Sequence, residues 1–298
     1  MAMKMCIWAR NALLNVRACP PLVDAFASYF LHLQNSIFVH SSLNRRLAGA
    51  VTVLLAVPPS FPQGKLAAGA WPSSEVLSYS VEWRLIYAGN ARWTLDAVKG
   101  TDGKPDWHSQ LHLESAGLVS KLYKLDDSYS LQFEDGFCAT ATDLEATEGK
   151  KHFSTKVHYD EDRHKATYVE RDLIKNAVIK QNEVEIPPCT SDIIGSLYRL
   201  RTLKLEPGQS TQIPVSDGKK AAMARVEAQE REQIQTKAGT FKTIRYEALV
   251  FNGVIYQRKA RVFVWLTDDA RKLPVQIRVR MSFPIGSITL QLDKEGDS

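Results

Sequence analysis

The chain has 298 residues, of which 44% are hydrophobic and 24% are charged. This length allows one large or two ordinary globular domains, and the hydrophobic content excludes a disordered chain. The formal net charge of +5 comes from residues 1–70, where six basic residues stand against the single acid Asp24. The rest of the chain holds 32 basic and 32 acidic residues, which argues against nucleic-acid binding, since that requires clustered positive charge.

An apolar run at residues 47–57 follows the arginine pair 45–46 and precedes Pro58-Pro59. This order of basic, apolar and helix-breaking residues is typical of a secretory signal. Its eleven residues are too few to span a bilayer, which takes about 20 helical residues, so we predict cleavage and no lasting membrane span. Residues 1–70 are therefore predicted to be a leader whose translation start is assigned too early. The mature protein is predicted to be exported to the periplasm or to the extracellular space. A core helix over the apolar run is the alternative.

Cys138 and Cys189 are the two cysteines that follow the leader. An exported domain with two cysteines can close one disulfide, because the compartments outside the cytosol are oxidising. A bond around a loop of about fifty residues would contribute about 4 kcal/mol in the chain-entropy model. We predict this disulfide, with two separate buried thiols as the alternative.

From Val81 onward, apolar and polar residues alternate in the pattern of strands with one buried face. The first strand is predicted to contain Trp83 and Tyr87, and a turn at 88–90 would join it to a second strand that contains Trp93. Further strands are predicted at 111–115, 128–134, 152–159, 165–171, 177–186, 211–215, 220–229, 241–251, 254–266, 275–282 and 288–292.

Two Gly dipeptides, Asp217-Gly218 and Asn252-Gly253, predict tight hairpin turns because both accept a positive φ angle. Short helices are predicted at 118–123 and at 191–200, the second with Ser191 as its N-cap. Because almost no helix separates the strands, the sheet must be largely antiparallel.

The fold prediction is all-β. Residues 71–298 are predicted to form a single domain, a curved antiparallel sheet or partial barrel of long meandering strands with one or two short helices. The regular alternation also predicts that one face of the sheet is exposed to solvent.

No pattern in the sequence predicts catalysis or metal binding. His108 and His112 have helical spacing but lie in a predicted strand, where four residues span about 13 Å, so they cannot chelate one ion. The acidic groups at 160–162, 126–127 and 268–269 are predicted to be solvated turns, with calcium binding as the alternative. Zinc, calcium, phosphate-loop, dinucleotide and nucleophile-elbow motifs do not occur in the sequence. We therefore predict a non-enzymatic protein with no catalytic residue, no metal and no cofactor.

Three aromatic residues, Trp83, Tyr87 and Trp93, are candidate ligand-binding residues. All three are predicted to project from the apolar face of the first hairpin, and an incompletely closed sheet lined by such side chains could hold a lipid or another apolar ligand. The alternative is that they are ordinary core residues.

Several strand and turn motifs of the chain resemble the bacterial family called domain of unknown function 3108. They are Tyr79-Ser-Val-Glu-Trp83, Glu185-Ile-Pro-Pro-Cys189, Tyr198-Arg-Leu-Arg201, Gly239-Thr-Phe-Lys-Thr-Ile-Arg-Tyr246, Val264-Trp-Leu-Thr-Asp-Asp269 and Leu273-Pro-Val-Gln-Ile277. The resemblance covers about residues 76–293 and implies an exported, all-β envelope domain, analogous in architecture to the LolA and LolB lipoprotein carriers. It implies no catalytic residues.

Three functions fit these predictions. The first is a non-enzymatic periplasmic or cell-envelope protein that binds a lipid-like ligand or an envelope protein partner on a curved sheet. The second is a structural or adaptor protein that pairs through its sheet edges. The third is a glycan or cell-wall hydrolase, which would need two carboxyl groups about 5 to 10 Å apart in a cleft.

Overall fold

A computed structural model describes residues 73–100, 105–134, 136–282 and 286–296. The predicted leader, with its apolar run at 47–57, lies outside the described residues. The strands are β1 Ser74–Trp83, β2 Ile86–Lys99, β3 Pro105–Ser115, β4 Leu125–Phe133, β5 Ala139–Glu148, β6 Lys151–Asp160, β7 Lys165–Asp172, β8 Ala177–Glu185, β9 Ser210–Ser216, β10 Ala221–Thr236, β11 Gly239–Leu249, β12 Ala260–Thr267, β13 Pro274–Met281 and β14 Ser287–Glu295; the helices are α1 Gly117–Leu122 and α2 Gly195–Thr202.

All fourteen strands belong to one sheet in which every neighbouring pair is antiparallel. Strands β1 to β8 follow one another across half of the sheet, β9 to β14 follow one another across the other half, and β1 pairs with β14 in the middle. The sheet therefore ends at β8 on one side and at β9 on the other. This confirms the predicted all-β, antiparallel, meandering fold.

Successive loops of an antiparallel sheet alternate between its two ends. We call the upper end the one formed by the loops at residues 84–85, 116–124, 149–150, 173–176, 217–220 and 250–259, together with residues 282 and 286. The lower end carries the loops at residues 161–164, 237–238 and 268–273, residues 134 and 136–138, and the connector 186–209 that runs from β8 to β9 and contains α2.

The sheet curls until its two edges approach each other near the upper end. The Asn182 amide of β8 donates hydrogen bonds to the carbonyls of Gly218 and Lys219, at 3.4 and 3.3 Å. Gly218 must be glycine on two counts, because its φ is +78° and a Cβ there would lie 2.7 Å from the Val157 side chain. No ladder joins β8 to β9 within the described residues, so the barrel stays open.

The first hairpin turns at a different place from the one predicted. The chain reverses at Arg84 and Leu85, whose φ angles are +51° and +70°. Such angles are uncommon for residues other than glycine, so the sequence carried no turn signal there. Gly89, which suggested the turn, lies inside β2, where a Cβ would come within 2.0 Å of the Glu114 carbonyl oxygen on β3. The glycine serves a close approach of two strands.

Two further predictions need correction. Strand β5 was missed because its sequence, Ala-Thr-Ala-Thr-Asp-Leu-Glu-Ala-Thr-Glu, has only one large apolar residue, Leu144. The predicted tight turn at Asn252-Gly253 has the expected positive φ angles, 59° and 94°, but it belongs to a longer connection, residues 250–259, between β11 and β12. The turn at Asp217-Gly218 is confirmed.

Asp192, not Ser191, supplies the side chain that caps the start of α2. Its carboxylate accepts hydrogen bonds from the backbone N–H groups of Ile194 and Gly195, at 2.9 and 2.6 Å. The Ser191 hydroxyl instead donates to the Phe137 carbonyl, and its backbone forms a parallel bridge with Val215. The strand-like pairing of Ser191 holds the connector against β9, so the helix can begin only after it.

The predicted disulfide between Cys138 and Cys189 is confirmed. It fixes the connector to the loop between β4 and β5 at the lower end, and the Arg199 guanidinium donates a hydrogen bond to the Cys189 carbonyl at 2.6 Å. A structural disulfide fits a protein that folds in an oxidising compartment. This feature of the fold therefore agrees with export.

Candidate functional site

Two adjoining cavities occupy the concave side of the sheet. The first, which we call the tyrosine cavity, is lined mainly by the inner faces of β3 to β7 and encloses about 740 Å³, including a part open to solvent. The second, the aliphatic cavity, is lined mainly by α2 and β10 to β14 and encloses about 870 Å³ on the same measure. Both touch Leu111, Ile193, Ile194 and Tyr256, so they meet at the segment before α2.

The aliphatic cavity follows from the alternation of residues along the strands. Val226, Val262, Val264, Val279 and Leu290 all point inward from their strands into it. From the other side, α2 contributes Leu197 and Leu200. The described lining has one polar member other than the aromatic residues, Ser196. The wall is therefore suited to hydrocarbon and offers water few partners.

The tyrosine cavity is more polar because hydroxyl and carboxyl groups interrupt its apolar wall. The Tyr129 hydroxyl donates a hydrogen bond of 2.6 Å to the Asp192 carboxylate, the same group that caps α2. Burial raises the pKa of Asp192, while the Tyr129 hydroxyl and the N–H groups of Gly195 and Ile194 act in the opposite direction. Burial also raises the pKa of Tyr129, Tyr159 and Tyr256, so these phenols stay neutral donors.

Asp127 is the most unusual group in the tyrosine cavity. Its residue is 7% exposed, and its Oδ1 atom has no hydrogen-bond partner in the described part of the chain. Burial, and next the nearby carboxylate of Glu148, raise the pKa of Asp127 to about 8. The side chain is therefore mainly protonated at neutral pH, and the cavity holds a carboxyl group with unused hydrogen-bonding capacity.

The raised pKa of Asp127 makes stability depend on pH. The unfolded pKa of Asp is about 3.9, so between about pH 4 and pH 8 the native protein keeps a proton that the unfolded chain releases. This contribution to stability is present below that window and is lost as pH rises through it. Since Asn stays neutral, Asp127→Asn should match the wild type at pH 4 and exceed its unfolding free energy by roughly 5 kcal/mol at pH 9.

Urea unfolding from pH 4 to pH 9 measures this difference, and Asp126→Asn on the exposed face of the same strand is the matched control. A constant difference between Asp127→Asn and the wild type across that range would contradict the assignment.

The three aromatic residues chosen from the sequence are separated in the structure. Trp93 is 3% exposed and lines the aliphatic cavity, where its indole N–H donates to Ser109 Oγ at 2.8 Å. Trp83 and Tyr87 lie at the upper end, outside both cavities. Tyr87 is 44% exposed and its hydroxyl donates to Asn90 Oδ1. Trp93 therefore lines a cavity and the other two aromatic residues do not. The cause is that the turn at 84–85 and a bulge at Val81/Glu82 change which residues of the hairpin face inward.

The lower end of the concave side is filled. Tyr198 of α2 packs against Trp93, Phe133 and Phe137, with ring centroids 5.4 to 6.0 Å apart. The cavities extend instead to the upper end, where Asp217, Phe251 and Tyr256 contribute to their walls.

Sequence reasoning missed Asp127, Tyr129 and Asp192. Asp126-Asp127 was predicted to be a solvated turn, which is wrong for Asp127, because it alternates with Tyr129 and Leu131 on the inner face of β4. The alternation along β4 could have identified Asp127 as an inward-facing residue. It places every second residue of the strand on the inner face of the sheet, whether or not that residue is acidic.

Within the described ranges, no three or more His, Cys, Asp or Glu side chains gather closely enough to hold a metal ion. His108 and His112 are both exposed, on the outer face of β3. None of the helices described is both long enough and apolar enough to span a bilayer.

Several solved structures are similar in fold. A beta-barrel-like protein of domain of unknown function DUF1849 from Brucella abortus has a TM-score of 0.45 and 9% identity, over 76% of this chain and 99% of that one. A protein with a YmcC-like fold from Bacteroides fragilis has a TM-score of 0.34 and 9% identity, over 76% of this chain and 97% of that one. No curated protein matches the sequence. The family model described as "Protein of unknown function (DUF3108)" matches residues 78–293, and the chain belongs to that family.

Proposed function

We propose that this is a non-enzymatic protein of the periplasm or cell envelope that binds a lipid-like, apolar ligand in the concave interior of its sheet. The observation that carries the proposal is the pair of adjoining cavities. Their described lining contains no Lys, Arg or His, and its aliphatic part offers water almost no hydrogen bonds. Space of this kind is unfavourable for water and favourable for hydrocarbon.

The chemistry of the cavities suits a chain-bearing ligand. Small-molecule sites are typically apolar clefts with a few polar groups that fix the orientation of the ligand, and the two adjoining linings together have this composition. Each buried methylene contributes about 0.8 kcal/mol, so a chain of about ten would gain about 8 kcal/mol before the costs of association. The polar end of such a ligand would meet Asp127 and the tyrosine hydroxyls of the tyrosine cavity. The confirmed disulfide and the predicted leader support the compartment.

Ala248→Phe is the substitution that tests this proposal. Ala248 lies on β11 and lines the aliphatic cavity, so a phenyl ring there would occupy the proposed chain site. The wild type should bind the fluorescent fatty acid cis-parinaric acid saturably. Ala248→Phe should weaken that binding about tenfold or more, because the phenyl ring would displace part of the fatty-acid chain, and a loss of about 1.4 kcal/mol of binding free energy lowers the affinity by a factor of ten.

Ala238→Phe is the matched control, because Ala238 is exposed in the β10–β11 turn and far from either lining. It should bind the probe like the wild type. Thermal unfolding of both variants separates a filled cavity from a misfolded chain. Equal probe binding by Ala248→Phe and the wild type, or no saturable binding by the wild type, would refute the proposal.

A second candidate is an adaptor that pairs through the β8 edge. The observation that favours it is the exposure of Val178 and Ile179 on this edge strand, at 49% and 56%. Edge strands with exposed apolar residues can accept a strand from another chain. A photo-cross-linking residue in place of Ile179 should capture a specific envelope protein in intact cells if this function is correct, and none if it is not.

A further inference from the structure

The loops at the two ends of the sheet differ sharply in charge. The upper-end loops contain nine basic residues and one acid, Asp217. The basic residues are Arg84, Lys121, Lys124, Lys150, Lys175, Lys219, Lys220, Arg258 and Lys259. The described lower-end loops, including the connector, contain seven basic and seven acidic residues. The chain from Trp71 onward is neutral overall, so this asymmetry is a property of the fold and not of composition.

Exposed hydrophobic side chains follow the same asymmetry. Ten large hydrophobic residues are exposed in the described part of the chain. Nine lie in the upper-end loops or within three residues of them, and Val98 is the exception. The most exposed are Leu85 at 89%, Leu122 at 72%, Ile174 at 66% and Leu118 at 64%. An exposed apolar group of this kind usually marks an interaction surface.

The hairpin tip and α1 bring three of these leucines into one region. A Cβ on Gly117 would lie 3.6 Å from the Tyr87 ring, so the start of α1 packs beside the β1–β2 hairpin. Leu118 and Leu122 are four residues apart and share a face of α1, while Val119 is buried. Lys121 lies between them in the sequence and is exposed.

We propose that the upper end docks onto an anionic lipid surface, with Leu85, Leu118 and Leu122 entering the interface and the basic loops facing the headgroups. Peripheral membrane surfaces combine exposed apolar residues with surrounding Lys and Arg. Each basic side chain near an anionic bilayer contributes about 1 kcal/mol. Six of the nine basic side chains are exposed, and they are spread over five loops. Such a distribution fits an extended anionic plane better than a protein partner, whose charges would have to match residue by residue.

Docking would also set the direction of ligand exchange. Both cavities have walls at the upper end, through Asp217, Phe251 and Tyr256, so a docked protein would present its interior toward the bilayer. This consequence rests on the proposed function. The docking itself does not, because it depends on residues outside the cavities.

Vesicle sedimentation tests the docking with the protein as purified from the cells that produce it. In low salt, the wild type should sediment with vesicles of equal phosphatidylglycerol and phosphatidylcholine about tenfold more strongly than with phosphatidylcholine alone, and added salt should weaken this binding. The double substitution Leu85→Ser and Leu122→Ser should reduce partitioning about tenfold. Lys121→Glu with Lys150→Glu should reduce it similarly.

Lower-end substitutions are the matched controls. Val98→Ser removes an exposed apolar side chain, Lys204→Glu reverses an exposed charge, and both should leave partitioning unchanged. Ala248→Phe should also bind vesicles like the wild type, which separates docking from ligand binding. Equal effects of upper-end and lower-end substitutions would overturn the proposal. So would an absence of wild-type binding to anionic vesicles. Cross-linking of a Leu122 photo-probe to a protein in cells would also contradict it, because the occupant of this surface would then be a protein partner.

Discussion

Replacing both Cys138 and Cys189 with Ala is expected to lower the free energy of unfolding by about 4 kcal/mol, because the disulfide closes a loop with a sequence separation of 51 residues. Without the bond, the unfolded chain regains the entropy of that loop, and the connector loses its covalent attachment to the β4–β5 loop. For a protein of this size the melting temperature should fall by about 2 to 4 °C for each kcal/mol. Calorimetry of the oxidised protein and the double variant measures the shift.

Reduced wild-type protein is the control for this prediction. Its melting temperature should coincide with that of the double alanine variant, and reductant should not affect the variant. If the oxidised and reduced forms of the wild type unfolded at the same temperature, the disulfide would have no stabilising role.

Arg201→Met is expected to destabilise the protein by about 3 to 5 kcal/mol, because it leaves the buried carboxylate of Glu75 without its ionic partner. The two side chains form a bidentate pair with both distances 2.7 Å, and they are only 2% and 8% exposed. Arg201 also donates to the Arg271 carbonyl at 3.3 Å. The pair joins the end of α2 to the start of β1, and its loss would loosen the helix that fills the lower end.

A double-mutant cycle isolates the interaction in the buried pair. The combined variant Arg201→Met with Glu75→Leu should recover much of the lost stability, since no unpaired charge stays buried. Arg231→Met is the matched exposed control: Arg231 pairs with Glu206 and Asp268 but is 52% exposed, so its loss should cost less than about 1 kcal/mol. Additive losses from Arg201→Met and Glu75→Leu would contradict this account.

Features encoded by neighbouring residues could be predicted from the sequence. Alternation of apolar and polar residues identifies a strand wherever the inner face carries large side chains, as in β6, where Phe153, Val157 and Tyr159 are buried. The turn at Asp217-Gly218 follows from the backbone preferences of two residues. The disulfide followed from compartment and cysteine number.

Features that depend on distant residues could not be predicted. Nothing local to β1 and β14 indicates that Val81 lies opposite Leu290, yet this pairing joins the two halves of the sheet. Asp127 became a cavity residue because of the strands that surround it, not because of its neighbours in sequence. The turn at Arg84-Leu85 depends on a backbone conformation that neither residue favours. The excess of positive charge at the upper end arises because the fold brings loops that are distant in sequence to the same end of the sheet.

The predictions about the leader lie outside the described residues and stay predictions. Determining the N-terminal residue of the protein recovered from the envelope would test whether the predicted leader, residues 1–70, is cleaved.

Native mass spectrometry of the protein, purified from its producing cells without detergent, tests the ligand-binding interior most directly. We expect a species heavier than the chain by one discrete lipid-like mass, which organic extraction removes and which is depleted in Ala248→Phe but retained in Ala238→Phe. A wild-type protein that carries no added mass, and that takes up no lipid-like compound when one is offered, would contradict the proposed ligand binding.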